Sequence, residues 1–195
     1  MKKSLLAVLF AVALVVPAVA ENMWVGGNLG YSNSQVKDGD RQTSWTIEPE
    51  FGYSVDEKLD IGIDLGYSYE ENAWEAFGIQ APAPDTVTTI GIAPFVRYKI
   101  FSIGSFDFLA KGSIFYASAK ADASDAKIDA YGIKIAPVVT YSINETWSIG
   151  ATLDFAELGF THAKGDEKAG DMEVDEFGFN LNDGSLISIG FSYHF

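Results

Sequence analysis

The 195-residue chain predicts an all-β fold: an eight-stranded antiparallel up-and-down transmembrane β-barrel behind a cleaved leader. Three observations carry that expectation. From Ile187 to Phe195 every odd position is apolar or aromatic and every even position is small or polar. Such a period of two gives a β-strand one wet face and one greasy face. A hairpin-sized unit also repeats. Ile47 to Tyr53 returns as Ile92 to Tyr98, then as Ile135 to Tyr141, and without its proline as Ile187 to Tyr193, at spacings of 45, 43 and 52 residues. Finally, the connections between alternating runs are tight and long by turns, which is the asymmetry of a membrane barrel with short turns at one end.

The leader is read over residues 1–20. Lys2 and Lys3 precede an apolar run to Val16, and Pro17-Ala18-Val19-Ala20 supplies a small-x-small cleavage site. The cut is expected between Ala20 and Glu21, leaving 21–195 as the barrel domain. No other stretch approaches the roughly 20 apolar residues of a transmembrane helix. The formal charge of −14 becomes −16 once the two leader lysines are gone. That excludes nucleic-acid partners, which need basic surfaces. The absence of cysteine excludes disulfides, thiolate metal sites and cysteine nucleophiles. Nineteen glycines with 14 Phe, 9 Tyr and 4 Trp, at a mean hydropathy of +0.09, suit strands better than helices.

Strands are expected at residues 23–32, 43–54, 58–70, 87–100, 106–118, 129–143, 146–158 and 187–195. The third shows the pattern plainly. Leu59, Ile61, Ile63, Leu65, Tyr67 and Tyr69 share one face, and Asp60, Gly62, Asp64, Gly66 and Ser68 the other. Eight is the smallest usual strand number for a membrane barrel, and an even number puts both chain ends beside the short turns. The connections at 55–57, 101–105 and 144–145 are tight; those at 33–42, 71–86, 119–128 and 159–183 are long and polar. Pro49, Pro94 and Pro137 stand against the reading, because proline lacks the N–H that a ladder uses. Their common place in three repeats marks a shared distortion whose position the sequence leaves open.

Which face is greasy decides the class. With the apolar set outward, the perimeter carries Val25, Leu29, Ile47, Phe51, Ile92, Val96, Ile114, Ile133 and Ile149, and no charge within the strand cores. Lysine or arginine at the bilayer midplane costs about 2–4 kcal/mol, so lipid exposure demands that absence. Tyr53, Tyr98, Tyr141, Trp147, Tyr193 and Phe195 at one end, and Tyr31, Trp45, Tyr67, Tyr69, Tyr116 and Tyr131 at the other, suit two interfacial girdles. The inward face carries Glu48, Glu50, Asp60, Asp64, Arg97, Lys99, Lys111, Lys134 and Asp154. Acids on the second and third strands are expected to face bases on the fourth to sixth across the lumen. An eight-stranded barrel is just wide enough for side chains to fill, and desolvated charges persist when paired. The expectation is a salt-bridged plug; unconnected charges in a wider water-filled pore are the alternative. A soluble ligand-binding barrel would instead bury these charges and set a tyrosine-rich surface in water.

The run from Thr46 to Gly62, TIEPEFGYSVDEKLDIG, resembles the second hairpin of the outer-membrane protein β-barrel domain family. Ile92-Ala-Pro-Phe-Val-Arg-Tyr-Lys99 resembles its fourth strand. The terminal stretch with Gly190, Tyr193 and Phe195 resembles the strand signal that the barrel-insertion machinery reads. The likeness covers the whole mature chain. It implies a cell outer-membrane location, contact with outer-membrane lipids and with that machinery, and no particular activity.

Candidate chemistry is sparse. Some small barrels resemble lipid-modifying enzymes that pair histidine with serine and a carboxylate. Here His194 lies at the terminus end. His162 lies beside Thr161 and Asp166 with no serine near it in sequence, so no enzyme is expected. Asp122, Asp125 and Asp129, and the acids from Asp166 to Glu176, match no calcium-loop template and read as solvated loops. Trp74, Phe77, Ile79 and Ala81-Pro82-Ala83-Pro84 suit equally a docking surface for a surface ligand and a lid over the rim. No cofactor or metal is expected. The expected role is structural or surface-interacting, with a narrow porin for small solutes and a lipid-modifying enzyme as alternatives.

Overall fold

The computed structural model describes residues 22–35, 41–76, 79–153, 156–180 and 188–195. The leader with Ala20 and Glu21, and also Phe77, Asp154 and Ile187, lie outside the described residues. Ten strands form one antiparallel sheet: β1 (Met23–Gln35), β2 (Arg41–Ser54), β3 (Leu59–Ala76), β4 (Ile79–Ile103), β5 (Phe106–Ala121), β6 (Lys127–Ser142), β7 (Trp147–Thr152), β8 (Glu157–Gly165), β9 (Glu173–Asn180) and β10 (Ser188–His194). Neighbours in sequence pair from β1 to β7. Strand β10 lies between β7 and β1 and closes the ring, with Trp24 opposite His194 and Tyr193 opposite Trp147. The result is a closed eight-strand antiparallel barrel, because β7 with β8, and β9 with β10, are the two parts of the seventh and eighth staves.

The alternation in the sequence is the alternation in the wall. Leu29 and Phe177 keep 78% and 77% of their surface accessible on the perimeter, and Ile61, Ile92, Val96, Ile114, Ile133 and Ile135 are exposed with them. Arg97 and Glu50 are buried inside at 7% and 9%. Aromatic rings gather at the two ends of this apolar band. Trp147 and Tyr193 lie 5.0 Å apart and Tyr193 and Phe195 5.0 Å apart at the short-turn end. Trp45 lies 5.1 Å from Tyr67 at the long-loop end.

Two short turns are held the same way. The Asp56 carboxylate accepts from the N–H groups of Lys58 and Leu59 at 2.7 and 2.9 Å. The Asn144 side chain accepts from those of Thr146 and Trp147 at 2.9 and 2.8 Å. An Asx side chain so placed imitates a backbone turn and leaves no donor unpaired.

Two of the expected loops are largely strand. The segment 71–86 continues β3 to Ala76 and β4 from Ile79, with register shifts after Glu70 and Ala73. Asn72 sits at φ 57°, a conformation that asparagine tolerates better than most residues. The seventh stave does not run unbroken over 146–158. It stops at Thr152 and resumes at Glu157, and most of 159–183 is the hairpin β8–β9. Along β6, three steps from Val138 to Ile135 span six residues from Thr152 to Leu158, so the stave bulges by three residues.

The prolines explain where the wall is interrupted. Pro49 pairs with Gly27 on β1, Pro94 with Ile63 on β3, and Pro137 with Ala110 on β5. Toward the next strand each ladder is broken. Pairing jumps from Ile47–Tyr67 to Glu50–Asp64, and from Ile92–Tyr116 to Phe95–Ser113. Pro137 faces the bulge between β7 and β8. The missing N–H is thus spent on one side only.

Replacing Ile133, which is exposed on the apolar band, by arginine is expected to lower barrel stability by about 2–4 kcal/mol in a bilayer. Chemical unfolding in phospholipid vesicles measures this.

Candidate functional site

The inward phase of four neighbouring strands brings five charges to one height. Glu50 on β2 is the register partner of Asp64 on β3, Asp60 on β3 is that of Arg97 on β4, and Arg97 is that of Lys111 on β5. Their side chains form one alternating chain. Arg97 Nη2 donates to Asp60 at 3.1 Å and Nη1 to Glu50 at 3.1 Å. Lys111 Nζ bonds Glu50 at 2.8 Å and Asp64 at 2.8 Å. All five side chains keep a quarter of their surface or less. In such a setting ionised groups persist because each finds an opposite charge.

Aromatic rings carry the cations from beneath. The Arg97 guanidinium carbon lies 4.0 Å from the Trp24 ring centroid, and Lys111 Nζ lies 4.1 Å from that of Phe95. Trp24 and Phe95 are 1% and 3% exposed. Two glycines make the room. A Cβ on Gly52 would stand 2.1 Å from Trp24, and one on Gly62 2.3 Å from Phe95. Cation–π contact of this kind strengthens as water is removed.

Cavities lie on both sides of the belt. A cavity of about 440 Å³ on the long-loop side is lined by Asn28, Glu48, Asp64, Lys111, Lys134 and Glu157, among others. A cavity of about 510 Å³ on the short-turn side is lined by Asp60, Arg97, Lys99, Asp107, Ser148 and His194, among others. Between them is a void of about 30 Å³ beside Glu50, Arg97 and Lys111. Its other wall is built of Gly27, Val138, Thr140, Gly150, Thr152, Gly190 and Ser192.

Of the inward charges read from sequence, Glu50, Asp60, Asp64, Arg97 and Lys111 are brought together. Acids of β2 and β3 meet bases of β4 and β5: Asp60 and Arg97 are on adjoining strands, Glu50–Arg97 and Asp64–Lys111 skip one strand, and Glu50–Lys111 reaches from β2 to β5. Lys99 pairs instead with Asp107 at 3.1 Å in the short-turn cavity, and Lys134 with Glu157 at 3.5 Å in the other. Glu48 lines the long-loop cavity and has no ion pair among the described residues. The sequence reading missed Trp24, Phe95, Asp107 and Glu157. Asp107 is in phase with Lys111 on β5, so its place was available from the alternation; Glu157 was hidden by the bulge before it.

The other chemistry-bearing groups are dispersed. His194 Nε2 is 3.2 Å from Ser148 Oγ at the short-turn end. His162 lies on the perimeter against Tyr131, 2.8 Å from Asp175 and 3.6 Å from Glu173. The loop acids are held by lysines: Asp129 by Lys127 at 2.9 Å, and Asp125 by Lys120 at 3.0 Å and Lys168 at 3.5 Å. The hydrogen bond from Lys120, then its charge and that of Lys168, hold the Asp125 carboxyl below the ordinary aspartate range.

A closed barrel with a greasy perimeter and ionised lumen defines an integral membrane β-barrel. Residues 4–195 match the family described as Outer membrane protein beta-barrel domain. The chain belongs to that family and is a protein of the outer membrane. The solved structure of Neisserial surface protein A is similar at 14% identity and a TM-score of 0.46, over 89% of this chain and 97% of that one. OmpT of Vibrio cholerae is similar at 14% identity and a TM-score of 0.36, over 90% of this chain but only 52% of its own length. No curated protein matches the chain.

Lys111→Met leaves three carboxylates against one guanidinium and is expected to cost about 3 kcal/mol, read from urea unfolding in detergent or lipid. Asp125 is expected to titrate below the usual aspartate value by NMR, and Lys120→Met to move it upward. A depressed carboxyl contributes stability above its unfolded value, so this loop contact is lost only as pH falls through the folded value.

Proposed function

We propose that this outer-membrane barrel is a rigid scaffold whose lumen is shut by the ion-pair belt and whose long connections act at the cell surface. The observation that supports it best is the continuous chain Asp60–Arg97–Glu50–Lys111–Asp64, which leaves only about 30 Å³ between the two cavities. A gap of that size holds no more than a few water molecules, which supports a lumen closed to bulk flow. The short turns then lie on the periplasmic side. The β3–β4 and β8–β9 hairpins stand outward, where a surface ligand meets them. Outer-membrane lipids surround the apolar band, and the insertion machinery takes the terminal strand with Gly190, Tyr193 and Phe195. In this reading the chain is not an enzyme. His162 is engaged by two carboxylates on the perimeter, and the Ser148–His194 contact lies at the opposite end.

A narrow porin is the second reading. It is favoured by the cavities of about 440 and 510 Å³ that reach inward from both ends. Planar-bilayer recording at about pH 7, above the ordinary carboxylate range, separates the two. The scaffold is expected to give no steady steps; large ohmic steps support the porin.

A further inference from the structure

We infer that the belt is an acid-operated gate, which gives the barrel a second activity: passage of small anions when its carboxylates take up protons. The inference rests on the closed lumen proposed above.

Three carboxylates, Asp60, Glu50 and Asp64, share two cations, Arg97 and Lys111. One negative charge of the belt is therefore uncompensated. Asp64 Oδ1 is buried and has no hydrogen-bond partner among the described residues. Glu50 and Asp64 are register partners that share the single ammonium of Lys111, and Glu50 also bonds Arg97. A proton added to either carboxyl removes charge from a site that already carries an excess of it. Once both are neutral, Lys111 keeps no ionic partner, and Arg97 keeps only Asp60.

The belt is also one-sided. Its long side chains reach from β2, β3, β4 and β5. The facing wall on β1, β6, β7 and β10 offers glycines, threonines, Asn28, Val138, Phe191 and Ser192 around the void, and no charge. Nothing opposite replaces the lost ion pairs. Released Lys111 can extend into the long-loop cavity, which it already lines and where Glu48, Lys134 and Glu157 are the other charges. On the short-turn side Arg97 shares its cavity with Asp56, Glu57, Lys58, Asp60, Lys99, Asp107 and His194. The seam between the belt and its facing wall then joins the two cavities. The protonated constriction holds Arg97, Lys111 and Asp60, a net positive charge, so anions pass in preference to cations.

The test is planar-bilayer recording of the full-length mature protein in potassium chloride, at about pH 7 and about pH 4, across the carboxylate titration range. Folding is checked at each pH by the heat-shift of the barrel on gel electrophoresis. The wild type is expected to be silent at the higher pH and to show steady steps at the lower one, with an anion-selective reversal potential in a salt gradient. The Glu50→Gln, Asp64→Asn double variant is expected to conduct at both. Gly150→Leu is expected to stay silent at both. A Cβ there meets nothing nearer than Thr140 Cγ2 at 3.7 Å, and Gly150 lines the void, so the added bulk is directed at the gap. Silence of the folded wild type in acid overturns the gate and leaves the closed scaffold standing. Conductance of the wild type at neutral pH overturns the closed scaffold itself. A cation-selective acid current, or a folded double variant silent at neutral pH, also overturns the gate.

Discussion

Hydrocarbon offers no hydrogen bonds, and that constraint governs the molecule. A backbone N–H or C=O left unpaired in the bilayer costs several kcal/mol, so a sheet can cross only when it closes on itself. The pairing of β10 with β1 does this, and it needs a chain end that is itself a complete strand. Once the ring is closed, the pleat sends successive side chains alternately to lipid and to lumen. A sequence that alternates oily and ionised residues therefore sorts itself without further instruction.

The lumen presents the opposite difficulty. Charges there are mostly removed from water, yet Glu50 and Arg97, at 9% and 7% exposure, are among the most buried polar residues described. They are tolerable because long side chains from β2 and β3 reach the bases of β4 and β5 in one alternating chain, and because Trp24 and Phe95 lie against the cations. The aromatic pair in turn requires Gly52 and Gly62. Backbone, ring and charge are layered in that order, and each layer depends on the space left by the one before.

Much of this was legible from the residues in chain order. Alternation in β3, the aromatic ends of the strands and the repeat containing proline were enough for the strand number and for the inward placing of Glu50, Asp64 and Arg97. Partnership among those charges was not legible. Whether Lys111 meets Asp64 or Asp60 depends on the stagger of β3 against β5, which is set by pairing through β4. The β8–β9 hairpin was read as loop because Glu173 to Asn180 carries four acids or amides among its eight residues. Pairing to β8, a contact with no local trace, made it strand. The direction of the proline defect was likewise invisible, since a missing N–H has a side only when there are neighbours.

That side is the same in all three cases. Within β1–β2, β3–β4 from Leu59 to Glu70, and β5–β6 the ladders run without a gap, and the interruptions fall at β2–β3, β4–β5 and β6–β7. The cylinder is thus a string of stiff two-strand tiles joined by slacker mortar. A gene that gained or lost one tile would move each cut to a joint where a bond is already absent, so circumference can grow by pairs while every tile keeps its own internal stitching.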